Sequence, residues 1–158
     1  MDRVYGFNPI YDTNSKVLIL GSIPSVISRN NNFYYANKNN RFWKVMEQLF
    51  QVSLNSNQEK IQFLLNNHLA LWDVIHSCTI KGSSDAHITN VEVNDINKLL
   101  DSSNIQTIFC TGKKAYNLFQ KYFKVNIEVF YLPSPSSANA VKSLNDLIHD
   151  YQIINRYL

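Results

Sequence analysis

Residues able to do chemistry gather in a few short stretches of this 158-residue chain. Phe33-Tyr34-Tyr35, followed closely by Asn40-Arg41-Phe42-Trp43, is the most distinctive. Aromatic side chains on a loop suit stacking on a planar ligand. They equally suit a loop packing down on its own core, and Phe42 fits a buried helical face. The amide of Asn40 can hold and orient a water but does not titrate near neutral pH. Asp73, after Trp72, can read a polar edge or cap a turn, and Asp85 after Gly82-Ser83-Ser84 suits a carboxylate bonding its own loop. Ser22, Ser134, Ser136 and Ser137 have hydroxyls but no G-x-S-x-G elbow and no recognisable triad order, so turn chemistry explains most of them. Gly112-Lys113-Lys114 opens a helix after a strand, a place that attracts phosphate. The Walker and G-x-G-x-x-G spacings are missing, which argues against a nucleotide cofactor. His76, Cys78, His87 and Cys110 lack any standard metal-ligand spacing, and no metal or other cofactor is expected.

These stretches need elements to position them. Val17–Leu20 is an uninterrupted apolar run ending at Gly21, as expected of a strand covered on both faces. Leu69–Val74, Ile105–Cys110 and Ile127–Leu132 repeat the pattern. Helices are expected over about 41–50, with Asn39 or Asn40 as cap, and over 58–66, 94–100, 113–122 and 141–157. Residues 23–39 and 75–92 read as long loops. Alternation of apolar strands with helices predicts an α/β, three-layer αβα fold with a four-stranded parallel sheet, forming one domain over 1–158. In such folds ligands sit beyond the carboxyl ends of the strands. Here those ends lead into Gly21–Ser25, Asp73–Ser84, Thr111–Lys113 and Pro133–Asn139.

Composition narrows the class. Hydrophobic residues make up 45% of the chain, which excludes disorder. The net charge of +3 permits a polyanionic partner without requiring one. Two cysteines are too few for a disulfide framework or an iron–sulfur cluster, and both read as buried thiols. No run approaches the ~18 apolar residues of a membrane span, and the N-terminus has no apolar signal core. A soluble, cytoplasmic monomer without membrane contact is expected.

Three segments, in order, resemble the uracil-DNA glycosylase superfamily. They are Leu18–Ser25 with Tyr34–Val45, Ala70–Ile75 with Lys81–Asp85, and Leu132–Ala140. The hypoxanthine-DNA glycosylase branch is the most similar. A mismatch-specific uracil/thymine branch shares the Asn40–Val45 stretch, but its strand-end motif carries an Asn where this chain has Ile23, which cannot hold water. The resemblance implies a monofunctional glycosylase acting on DNA, double- or single-stranded, that contains a deaminated base, hypoxanthine first. It places the essential amide on Asn40. Gly21, Ser22, Ile23, Phe33, Tyr34, Tyr35, Trp72 and Asp73 would surround the flipped base. Ser134, Ser136, Ser137, Asn139, Lys113 and Lys114 would contact DNA, with Pro133–Asn139 as wedge and Lys142 as a further phosphate contact. No lysine is placed for Schiff-base chemistry. Uracil or mismatch-specific activity, a non-catalytic nucleic-acid module and a flavodoxin-like small-molecule binder are the competing readings.

Overall fold

A computed structural model describes residues 3–80 and 87–158. Four strands form the expected parallel sheet: β2 (Val17–Gly21), β3 (Leu69–Asp73), β6 (Thr107–Thr111) and β7 (Glu128–Leu132), in spatial order β3-β2-β6-β7. The register pairs Leu20 with Trp72 and Cys110, and Gly21 with Asp73, so the strand ends lie level along one edge. Successive side chains point to opposite faces. Val17, Ile19, Leu69, Leu71 and Phe109 therefore enter one core, and Leu18, Leu20, Ala70, Ile108 and Cys110 the other. This is why these strands read as continuous apolar runs.

The first core is closed by α2 (Phe42–Phe50), α3 (Asn57–Asn66) and α6 (Leu144–Tyr151). Phe42, Trp43, Val45 and Met46 are the buried face of α2, and Leu147 and Tyr151 that of α6. The second is closed by α4 (Ile96–Asp101) and α5 (Lys113–Tyr122), through Ile96, Leu99, Ala115, Leu118 and Phe119. Cys78 and Cys110 are buried free thiols, and burial pushes the Cys110 thiol up to about 12. Among the described residues no helix is long and apolar enough to cross a membrane.

The two loops expected over 23–39 and 75–92 both contain regular structure. The first carries α1 (Val26–Asn31), whose cap Ser25 accepts the Ser28 N–H. The second contributes β4 (Ile75–Thr79) and β5 (Thr89–Val93), which join β1 (Arg3–Tyr5) in a small antiparallel sheet ordered β1-β4-β5. These strands are short and β5 is largely exposed, so they lack the apolar runs that mark the main sheet. Their pairing spans the chain: Arg3 Nε donates to Ser77 Oγ at 3.0 Å, and Arg3 meets Glu92 at 3.5 Å. The final helix starts later than expected, at Leu144, because Ser143 and Asp146 form a reciprocal capping box. It ends in a 3-10 turn over Gln152–Tyr157.

Candidate active site

A cavity of about 140 Å³ opens at the carboxyl edge of the parallel sheet, and every one of the stretches leading from β2, β3, β6 and β7 reaches it. Its wall includes Gly21, Ser22, Ile23, Tyr34, Tyr35, Asn40, Asp73, Ser134 and Ser136. The wedge of polar groups rests on locked backbone. Val74 N–H donates to Gly21 O at 2.9 Å and Ile75 N–H to Ser22 O at 3.0 Å, while Asn94 Nδ2 donates to Asp73 O at 2.7 Å. Asp73 is 4% exposed. A Cβ at position 21 would lie 2.5 Å from Asp73 Oδ1 and 3.1 Å from the Tyr35 hydroxyl. Glycine is there because a carboxylate and a phenol close over the strand end.

Tyr35 stacks on Phe42, ring centroids 4.2 Å apart, and its backbone is left-handed at φ 51°. Such a conformation costs a non-glycine residue on the order of 1 kcal/mol and persists only where packing over-determines it. Burial, then the Asp73 carboxylate, raise the Tyr35 hydroxyl well above the ordinary tyrosine value. It is a neutral phenol throughout the physiological range. Thr111, at the end of β6, completes this side of the cavity and donates to Leu20 O at 3.2 Å.

Asn40 stands just before α2: the cap position expected at Asn39 or Asn40 falls instead on Arg41, whose carbonyl accepts the Val45 N–H. Asn40 Oδ1 accepts the Phe42 N–H at 2.9 Å, and the Asn40 N–H donates to Asn37 O at 2.9 Å. The amide is thus fixed by the helix start. A carbonyl oxygen has a second lone pair, and the NH₂ has two donors, so this bond leaves capacity facing the cavity.

The Pro133–Lys142 segment borders the cavity from the opposite side. Tyr151 donates to Pro133 O at 2.6 Å and roots it on α6. Ser134 Oγ and Ser136 Oγ each accept a loop N–H, from Ser136 and Ala138, at 3.2 Å. Each hydroxyl keeps its O–H to give. Asn139 is turned inward, its Nδ2 donating to Ser134 O at 3.0 Å, so it braces the loop. Ser137 is exposed at the surface. Further along the segment, Val141 is 88% exposed.

Other expected site residues lie elsewhere. Phe33 is buried against Trp43, their rings stacked at 6.0 Å, with the Lys60 ammonium 5.9 Å from the Phe33 ring; it does not line the cavity. Trp72 gives its Nε1–H to Phe7 O at 2.8 Å and packs between the two cores. Tyr34 reaches the cavity wall, but its hydroxyl donates to Asn8 O at 2.7 Å and it is 4% exposed. In each case the side chain's apolar bulk is taken up by the core. Lys113 and Lys114 line a separate shallow depression that shares Ser134 and Asn139 with the loop. Lys142 is engaged with Asp150 at 2.8 Å. Asp85 lies outside the described residues. No group of three His, Cys, Asp or Glu able to hold a metal occurs among the described residues.

Sequence reading passed over Arg41. Its guanidinium donates to the carbonyls of Pro135 (3.3 Å), Ser136 (2.7 Å), Asn139 (3.0 Å) and Lys142. The only signal was its place beside Asn40, since nothing local reveals acceptors more than ninety positions away. Thr111, expected in the turn after the strand, is instead the last residue of β6, and sequence reading gave it no role.

A polar cavity with an amide, a carboxylate and a serine-rich loop around it lies at the carboxyl edge of a parallel sheet, where α/β proteins place their ligand sites. The chain belongs to the uracil DNA glycosylase superfamily, whose family model matches residues 9–157. It is a DNA glycosylase, and DNA is its substrate. Two relatives are hypoxanthine DNA glycosylases from Methanosarcina. The Methanosarcina acetivorans protein is 33% identical over 89% of this chain and 90% of its own length. The Methanosarcina barkeri protein is 31% identical over 85% and 87%. A solution structure from Methanosarcina acetivorans, provisionally assigned as a uracil DNA glycosylase, superposes with a TM-score of 0.80. It is 29% identical, covering 98% of this chain and 99% of that one.

Proposed function

We propose that this protein is a monofunctional glycosylase that removes hypoxanthine from DNA in base excision repair. The observation that carries the reading is the convergence of Asn40, Asp73 and the Gly21 turn on one cavity, in a chain similar to two hypoxanthine DNA glycosylases. The base must leave the stack to enter such a cavity. Hypoxanthine differs from adenine in presenting a ring N–H and a carbonyl oxygen. The Asp73 carboxylate accepts that N–H, whereas adenine would offer it a lone pair. A site built around such a bond rejects a base lacking the donor.

Asn40 holds the attacking water through its remaining carbonyl lone pair and sets it towards the anomeric carbon, a positional effect. As the glycosidic bond breaks, the sugar becomes cationic and the purine leaves with negative charge. Donors beside Gly21 and the neutral Tyr35 phenol stabilise that charge. Among the described residues no lysine lines the cavity, in keeping with hydrolysis rather than Schiff-base chemistry. Ser134, Ser136 and Ser137 give hydroxyl donors to phosphates, and the exposed Val141 fills the gap left in the stack.

The test is a panel of duplexes, each with one hypoxanthine, uracil or xanthine, followed by alkaline cleavage at abasic sites. Single-turnover excision is expected to be faster on hypoxanthine than on uracil. Faster excision of uracil in every pairing context would reassign the substrate within the superfamily.

A further inference from the structure

Arg41 follows the cavity-lining Asn40, and none of the steps above uses it. Four carbonyls, of Pro135, Ser136, Asn139 and Lys142, accept from its guanidinium, and its main-chain N–H adds a second bond to Pro135 O at 3.0 Å. The ion pairs among the described residues are Arg3–Glu92 and Lys142–Asp150, so carbonyl dipoles meet this charge. All four acceptors come from one short loop. A guanidinium has five donors in a rigid fork, which lets one side chain fix several carbonyls at once.

Two consequences follow from this arrangement. Each of these carbonyls has at least one lone pair engaged by Arg41, which lessens its repulsion of an approaching phosphate. The loop is also held in one shape before DNA arrives, which removes an ordering cost from binding. Because Arg41 follows Asn40 directly, the same clamp ties the loop to the chain beside the amide.

We propose that Arg41 is a positioning residue that pre-organises the Pro133–Lys142 loop for DNA and couples it to Asn40. This rests on the glycosylase reading above. The test is Arg41→Lys, which keeps the charge but offers a point donor that cannot span four carbonyls. The variant should keep its far-ultraviolet circular dichroism. Its affinity for duplex with an abasic site should fall roughly tenfold or more. Its excision should fall further on duplex than on single-stranded DNA of the same sequence, since only the duplex must be opened. Unchanged affinity, or equal losses on both substrates, overturns the proposal. A second measurement uses the wild-type protein without DNA. Amide order parameters over residues 136–141 should be near the rigid value of about 0.85, and values below about 0.6 overturn the clamp whether or not the variant folds. A wild-type protein that excises no base from either DNA would defeat the functional reading instead, and the order parameters would still decide the clamp.

Discussion

Asn40 carries two duties on one amide. From one residue before the N-cap Arg41 it accepts the first helical N–H, that of Phe42, and it borders the cavity with what capacity remains. Removing the amide separates the two. Asn40→Ala should lose about 1 kcal/mol of stability, the usual scale for a side-chain bond at a helix start. Its single-turnover excision should fall on the order of 100-fold, as for the loss of one well-placed catalytic group. Its affinity for abasic duplex should stay close to wild type, because the loop and its serines are untouched. A stability loss with near-normal excision would leave Asn40 as a helix-start acceptor alone and move the chemistry to Asp73. That Asn40 and Asp73 would lie near the carboxyl edge of the sheet was legible from the sequence, and both line the cavity there. The division of the aromatic trio was not. Phe33, Tyr34 and Tyr35 are adjacent, yet Phe33 is core, Tyr34 is tied to Asn8, and only Tyr35 offers its hydroxyl beside Gly21. A left-handed turn at Tyr35 makes that difference, and no pattern of residue types announces it.

At the scale of elements, α5 brings Lys113 and Lys114 to a depression adjoining the loop. If both contact phosphate, the variant Lys113→Ala/Lys114→Ala should bind all DNA more weakly, with a slope of log affinity against log salt reduced by about 1–2. Its preference among damaged bases should not change. A slope equal to wild type would make these lysines ordinary solvated residues of a first helical turn. The strands and helices of the main sheet were legible because both sheet faces are covered, and burial on both sides leaves an unbroken apolar run. The second sheet was hidden for the opposite reason. β5 is mostly exposed, β4 shifts register twice against it, and β1 is drawn from the other end of the chain. Local sequence carries little of such pairing, which depends on a distant partner.

For the molecule as a whole, Tyr34, Tyr35 and Tyr151 are buried, and burial is the largest cause that raises each above 10.0. The unfolded chain therefore gives up these protons first. Their contribution to stability should be level below about pH 10 and fall as the pH rises from there towards their folded-state values. Tyrosinate absorbance for these three rings should appear together with loss of the helical signal. Titration of all nine tyrosines near pH 10 with the helical signal intact would contradict their burial.

The bond from Arg41 to Pro135 closes a loop of 94 positions, and the cavity wall runs from Gly21 to Ser136. Contacts between such distant parts of a chain form only after the entropy of bringing them together has been overcome, which places them late in folding. A nascent or partly opened chain thus has no half-built site: the strand-end turn exists without its loop, and the loop without its clamp. Competence to excise a base and completion of the fold arrive as one event, so an immature copy has little means of gripping DNA without acting on it.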